Sequence, residues 1–163
     1  MDTSMVHNHI LLAPPDSAGY VTHITTGNIT PQQLLAYADS LKGTPYSTAS
    51  TDPGYGLDCS GFVACVFNHF HIAVPRSSVD YTFVHRQIAL KDARSGDLIL
   101  FTGTDSTNRV VGHMGIITSA AGDSIKFIHS TSGGNKGVVE TPMEGYYVGR
   151  YMKTIRVFPQ NEK

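Results

Sequence analysis

The order of hydrophobic patterns along the chain is the feature that most restricts its fold. Two helical patterns come first, one after Thr30 and one after Asp58, and short apolar runs separated by turn residues fill the second half. Helices followed by consecutive short strands are typical of α+β proteins with antiparallel sheets. We therefore predict an α+β fold in which N-terminal helices pack on an antiparallel sheet of about five to six strands.

Both helices have clear start signals. Thr30 precedes Pro31 and Gln33, the pattern of a capping box with proline in the first turn. Asp58 is a candidate cap for the second helix, and the apolar run 62–70 indicates that this helix is buried on most sides. A short helical stretch is also predicted near 79–85. The predicted strands are 98–102, 112–118, 125–130, 137–141 and 147–158.

Length and charge exclude several classes of protein. A chain of 163 residues is long enough for one domain with a core and too short for two of ordinary size. The net charge is -1 and no basic run occurs, so no nucleic-acid partner is predicted. No apolar stretch approaches the roughly 18 residues of a membrane helix, so no membrane span is predicted.

The first part of the chain shows no periodicity, and we predict an N-terminal extension at 1–28 and a single domain at 29–163. His7 and His9 lie in this extension without cysteine or carboxylate ligands at supporting spacing, so no metal site is predicted. The N-terminus lacks a signal-peptide pattern. Two locations stay open: the cell envelope, if an export signal was removed, and the cytoplasm.

Cys59 is the first candidate for a chemical role. With Asp58 as the cap, it falls in the first helical turn, where unpaired N–H groups and the helix dipole favour a thiolate. Gly61 leaves space for a close neighbour beside the sulfur. A cysteine in such a place is more often a core residue, so a nucleophile requires a base elsewhere. We interpret Cys65, on another face of the same helix, as core packing, with no disulfide between the two cysteines.

Two histidines could supply that base. His113 lies at the start of one predicted strand and His129 at the end of the next. If these strands form an antiparallel pair, both histidines lie at the same edge of the sheet, where the helix could bring Cys59 to them. His129 could then bind the far nitrogen of His113 and fix its tautomer. Gly112 and Gly115 beside His113 suggest room for a buried sulfur.

Several short motifs occur in one order along the chain: 43–46 (GTPY), 58–62 (DCSGF), 75–78 (PRSS), 96–98 (GDL), 112–116 (GHMGI) and 127–129 (FIH). Together they closely resemble the NlpC family of papain-like cell-wall peptidases, over about 30–158. The resemblance implies a papain-like fold. It also implies hydrolysis of peptidoglycan stem peptides or muropeptides through a cysteine thioester, commonly at the bond between γ-D-glutamate and a diamino acid.

The resemblance also implies roles for individual residues. Cys59 matches the nucleophile, His113 the base and His129 the third, orienting member. Three residues match positions that line the substrate cleft and, in members cutting free stems, hold the N-terminal amine: Tyr46, Asp58 and Ser60. No metal or organic cofactor is required. Two alternatives stay open: an amidase or acyltransferase on the same scaffold, and a non-catalytic wall-binding module that retains the fold.

Overall fold

The computed structural model of the protein describes residues 10–133 and 137–162. Two α-helices lie within these ranges, α1 (Pro31–Ser40) and α2 (Cys59–His69). The strands of the same part of the chain are β1 (Thr51–Asp52), β2 (Gly56–Leu57), β3 (Gln87–Ile88), β4 (Leu98–Thr102), β5 (Val111–Ile117), β6 (Lys126–Thr131), β7 (Gly137–Pro142) and β8 (Tyr151–Ile155). No helix among the described residues is both long and apolar enough to cross a bilayer.

Six of these strands form one sheet in the order β3-β8-β4-β5-β6-β7, and each neighbouring pair is antiparallel. β1 and β2 form a separate small sheet ahead of α2. The predicted α+β fold is therefore confirmed. The last strand is shorter than predicted because a 3-10 turn, Gly145–Tyr147, precedes it. The short helix predicted near 79–85 is a 3-10 turn at Ser78–Tyr81.

The sheet carries an apolar cluster on each face. Because side chains alternate along a strand, Leu98 and Leu100 of β4 belong to one cluster and Ile99 and Phe101 to the other. The first cluster includes the buried face of α2, which packs on the central strands. This packing places the start of α2 beside β5 and β6, the two strands that carry the histidines.

The described part of the predicted extension lies along the domain. The N–H of Ala13 donates to the carbonyl of Val74 at 3.1 Å, and Ile24 is buried in the first cluster. These contacts show a segment that packs on the surface of the fold. The boundary between 28 and 29 stays a prediction, and His7 and His9 lie outside the described residues.

A buried ion pair stabilises the turn that precedes β4. Asp97 is fully buried, and its Oδ2 accepts from Nη2 of Arg156 at 2.9 Å. Asp97 also accepts from the side-chain amide of Asn161 at 3.0 Å and from the backbone N–H of Arg94 at 2.8 Å. These bonds join the turn before β4 to the segment after β8, so the GDL motif has a structural role in this protein.

Candidate active site

Cys59 is the first residue of α2. Its placement depends on Asp58, the N-cap, whose Oδ1 accepts from the backbone N–H of Gly61 at 2.5 Å. A methyl group at Gly61 would lie 2.0 Å from the carbonyl oxygen of Ser50. Glycine is needed there because the loop before β1 crosses directly over the first turn of the helix. The close neighbour expected at Gly61 is therefore this backbone.

The environment of the sulfur opposes a resting thiolate. Burial raises the pKa of the Cys59 thiol, and the Asp58 carboxylate adds to that shift. Backbone N–H groups of Ser60 and Met114 act in the opposite direction, but the pKa stays above the ordinary value. The resting form is therefore a neutral thiol, which differs from the thiolate expected from the helix dipole alone.

The two histidines meet as the antiparallel pairing predicts. Nε2 of His113 lies 2.7 Å from Nδ1 of His129. Burial lowers the pKa of His113 well below its ordinary value and lowers that of His129 to about 3. Because a lowered pKa disfavours the protonated form, both imidazoles are neutral at neutral pH. A neutral His113 retains a basic nitrogen.

The glycines of β5 lie in close contact with neighbouring parts of the chain. A methyl group at Gly115 would lie 2.8 Å from the carbonyl oxygen of Ile128 and 3.1 Å from Cβ of His129. A methyl group at Gly112 would lie 2.7 Å from the backbone nitrogen of Gly103. Both glycines therefore permit close approach of neighbouring chain segments, and their role in making room for the sulfur stays a prediction.

A threonine extends the histidine pair. Nε2 of His129 lies 2.8 Å from Oγ1 of Thr141 on β7. When His113 is protonated, it donates through Nε2 to Nδ1 of His129, which then donates through its own Nε2 to the threonine oxygen. This direction leaves Nδ1 of His113 as the nitrogen that can exchange a proton with a neighbouring thiol.

Asp58 and Ser60 are bound to an arginine that sequence reasoning did not assign to the site. Nη2 of Arg76 donates to Oδ2 of Asp58 at 2.9 Å, and Nη1 donates to Oγ of Ser60, also at 2.9 Å. Tyr46 lines the same cleft as Cys59. The role of Asp58, Ser60 and Tyr46 in binding a substrate amine stays a prediction.

Cys59, His113 and Tyr46 line a single cleft of about 530 Å³. The other described residues of its lining include Thr104, Thr131, Ser132, Glu140, Thr141, Tyr146, Tyr147 and Arg150. No group of three or more His, Cys, Asp or Glu side chains in the described ranges could hold a metal ion. The cleft therefore combines a thiol, a neutral imidazole and polar walls, which suits acyl transfer by a nucleophile and a base.

Besides Arg76, two residues of this site were not identified from the sequence, Thr141 and Arg150. Thr141 is an ordinary β-branched strand residue in the sequence, and Arg150 follows a turn without any charged partner nearby in sequence. The PRSS motif was a usable signal for Arg76, because its arginine can form an ion pair with an acidic helix cap such as Asp58. No local signal pointed to the other two.

A helix that begins with Cys59 and packs on an antiparallel sheet carrying His113 and His129 defines a papain-like α+β protein. More narrowly, the chain belongs to the NlpC/P60 family, whose model matches residues 43–156.

Curated relatives include a probable endopeptidase of Haemophilus influenzae, 32% identical over 70% of this chain and 66% of that protein. Another is the murein DD-endopeptidase MepS/murein LD-carboxypeptidase of Escherichia coli K12, 32% identical over 77% of this chain and 61% of that protein. The chain thus spans less than two thirds of the length of each of these relatives. It is also similar to the crystal structure of an NlpC/P60 family protein from Bacillus cereus. That match has a TM-score of 0.71 and 26% identity and covers 82% of this chain and 42% of the other.

Proposed function

We propose that this protein is a cysteine peptidase that hydrolyses peptide stems of peptidoglycan, at the bond between γ-D-glutamate and a diamino acid. The observation that carries the proposal is the 2.7 Å contact between His113 and His129 in the same site as the helix-borne Cys59. A relative of Bacillus subtilis, 24% identical over 80% of this chain, is a gamma-D-glutamyl-L-lysine dipeptidyl-peptidase. The proposed place of action is the cell envelope.

In the proposed mechanism, His113 acts first as a general base. Its neutral Nδ1 takes the thiol proton while the sulfur of Cys59 attacks the scissile carbonyl. The positive charge that forms on His113 is shared through Nε2 with His129, which is held by Thr141. His113 then returns the proton to the leaving amine, and water hydrolyses the thioester.

The negative charge on the attacked oxygen also needs donors. The backbone N–H of Cys59 lies at the open N-terminus of α2, where no helical partner satisfies it. The hydroxyl group of Tyr46 lines the same cleft, and burial raises the pKa of that group, so it stays protonated and able to donate. We assign both donors to the oxyanion.

Mass analysis of products from defined muropeptides tests the proposal. Hydrolysis of the γ-D-glutamyl bond releases two fragments whose masses sum to the substrate plus one water. An acyltransferase would give a transfer product when a nucleophile is supplied, and a wall-binding module would leave the substrate intact while retaining it in a pull-down. Intact substrate, or cleavage only at another bond, would contradict the proposed reaction.

Replacement of Thr141 by valine should lower kcat about twofold to tenfold and leave KM unchanged. The hydroxyl group accepts from His129, and one neutral hydrogen bond contributes about 0.5–1.5 kcal/mol. Thr118→Val is the matched control, because the Thr118 hydroxyl is enclosed without a partner among the described residues. Steady-state kinetics on both variants make the comparison. A wild-type kcat in Thr141→Val would remove this residue from the proton chain.

Recognition of a free α-amine by Asp58 can be measured on a matched pair of stems that begin with free or N-acetylated L-Ala. We expect kcat/KM to be about tenfold higher for the free amine, which is the lower end of the range for a charge-assisted hydrogen bond. The effect is small because Arg76 already offsets the charge of Asp58. Asp58→Asn retains a good helix cap and should reduce the preference. Equal kcat/KM for the two stems would assign Asp58 to capping and pairing alone.

A further inference from the structure

Arg150 lies directly before β8 and is the only cation among the described residues that line the proposed active-site cleft. Only 7% of this residue is exposed. Its Nε donates to the carbonyl oxygen of Gly103 at 3.0 Å, and its Nη2 donates to that of Thr102 at 2.9 Å. The guanidinium is therefore held in one position by the end of β4 and the loop that follows.

Two tyrosines cover the guanidinium. Cζ of Arg150 lies 4.5 Å from the ring centroid of Tyr146 and 5.5 Å from that of Tyr147. Ring faces and backbone carbonyls attract a cation, but they do not carry a net negative charge. Arg150 is thus fixed by neutral partners and keeps its full charge inside the protein.

Within 10–133 and 137–162, no carboxylate forms an ion pair with Arg150, since the ion pairs there involve other basic residues. Glu140 lines the same cleft but is exposed and does not pair with it. Removing a charge from water is unfavourable unless an opposite charge comes close. An anion that enters the cleft would therefore gain from Arg150 more than it would from a solvated surface cation.

The third nitrogen of the guanidinium, Nη1, is the available donor. It donates to no acceptor in the described part of the chain. Nη1 is also accessible. Among the described residues, two enclosed side-chain polar atoms lack a hydrogen-bond partner, the hydroxyl oxygens of Thr26 and Thr118, and Nη1 is not one of them. Nη1 can therefore offer its N–H groups to a ligand in the cleft.

We propose that Arg150 binds a substrate carboxylate beside the scissile amide. This inference rests on the proposed function and specifies the substrate. A γ-linked glutamyl residue keeps its α-carboxylate free on the acyl side of that amide, and the released residue can carry a carboxylate on the other side. Because Cys59 and His113 line the same cleft as Arg150, a carboxylate held by Arg150 belongs to the same bound substrate as the reacting carbonyl.

The charge of Arg150 already acts within the site. Burial lowers the pKa of His129 to about 3, and the positive charge of Arg150 adds to this shift. The same charge also contributes to the lowered pKa of His113, after burial and His129. The positive charge of Arg150 therefore acts within electrostatic reach of both histidines.

Three stems test the proposal: L-Ala–γ-D-Glu–L-Lys, its analogue with a carboxamide at the glutamyl α position, and its analogue with a carboxamide at the lysine C-terminus. We expect the wild-type protein to cleave the acid with a kcat/KM about tenfold to hundredfold above that of one of the two amides. The amide that is cleaved poorly identifies which carboxylate Arg150 binds. Arg150→Gln should bring that ratio close to one, and Arg150→Lys should retain part of it.

Arg109→Gln is the matched control. Arg109 also holds backbone carbonyls, those of Ser106, Gly149 and Tyr151, but it does not line the cleft. This variant should keep the wild-type ratio. The ratio is independent of the folded fraction, so partial unfolding of a variant cannot imitate the effect.

Equal cleavage of all three stems by the wild-type protein would overturn the proposal, as would an undiminished preference in Arg150→Gln. Either result would leave the proposed peptidase function standing. Failure to cleave any of the three stems would instead count against the peptidase function itself.

Discussion

Replacement of Cys59 by alanine should abolish hydrolysis of stem peptides and leave the fold intact. Cys59 is the only cysteine that lines the cleft with His113, and the rate lost with a catalytic nucleophile is on the order of 10⁶-fold. Alanine removes only the sulfur atom and leaves the Asp58 cap in place, so we expect the melting temperature to fall by a few degrees at most. Product release from a defined stem, followed beside a thermal melt, measures both effects.

Cys65→Ala is the matched control for this experiment. Cys65 packs against the first apolar cluster, and its sulfur lies 3.9 Å from the hydroxyl oxygen of Tyr37, away from the cleft. Its replacement should lower stability by about 1 kcal/mol and leave activity largely unchanged. Iodoacetamide should label Cys59 faster than Cys65, because the cleft admits the reagent. Full activity in Cys59→Ala, or equal labelling of the two thiols, would contradict the assignment of Cys59.

Replacement of Asp97 by alanine should be strongly destabilising. The change leaves the guanidinium of Arg156 buried without its carboxylate and removes the acceptor for Asn161. Removal of one partner of a buried ion pair costs about 3–5 kcal/mol. For a chain of this length that corresponds to a fall in melting temperature of roughly 6–20 °C. Thermal denaturation followed by circular dichroism measures the shift.

An exposed ion pair supplies the control. Asp39 lies 2.6 Å from Nζ of Lys42, but its side chain is 65% exposed. Asp39→Ala should therefore change stability by less than about 0.5 kcal/mol, since solvent screens such pairs. A similar shift for Asp39→Ala and Asp97→Ala would show that the buried network does not anchor β4.

Much of the fold could be predicted because its signals are local. The cap at Thr30 and the glutamine of its capping box lie within one helical turn, and both bonds are present. The five longer strands, β4 to β8, were recognisable from their apolar runs and the turns around them, whereas the two-residue strands β1, β2 and β3 were not predicted. The shorter last strand and the 3-10 turn at Ser78–Tyr81 were missed because both depend on backbone hydrogen bonds that apolar patterns do not encode.

The candidate site could be predicted only in part. His113 and His129 came together because antiparallel pairing of consecutive strands fixes which ends meet. The glycines of β5 indicated a close approach, but a missing side chain does not show which group comes close. The protonation state of Cys59 also differs from the thiolate that the helix dipole favours. Burial opposes the dipole, and burial is a property of the whole fold.

The sequence by itself determined the two α-helices, the five longer strands, their order and the positions of the thiol and the two histidines within them. Only the tertiary structure decided which groups the residues of the site contact: Arg76 binds Asp58, Thr141 binds His129, and Gly103 binds Arg150. These partners lie 18, 12 and 47 residues apart in sequence. Periodicity and caps report on neighbours within a turn or a strand. A contact across the fold depends on sheet register and loop closure, which the whole chain sets together.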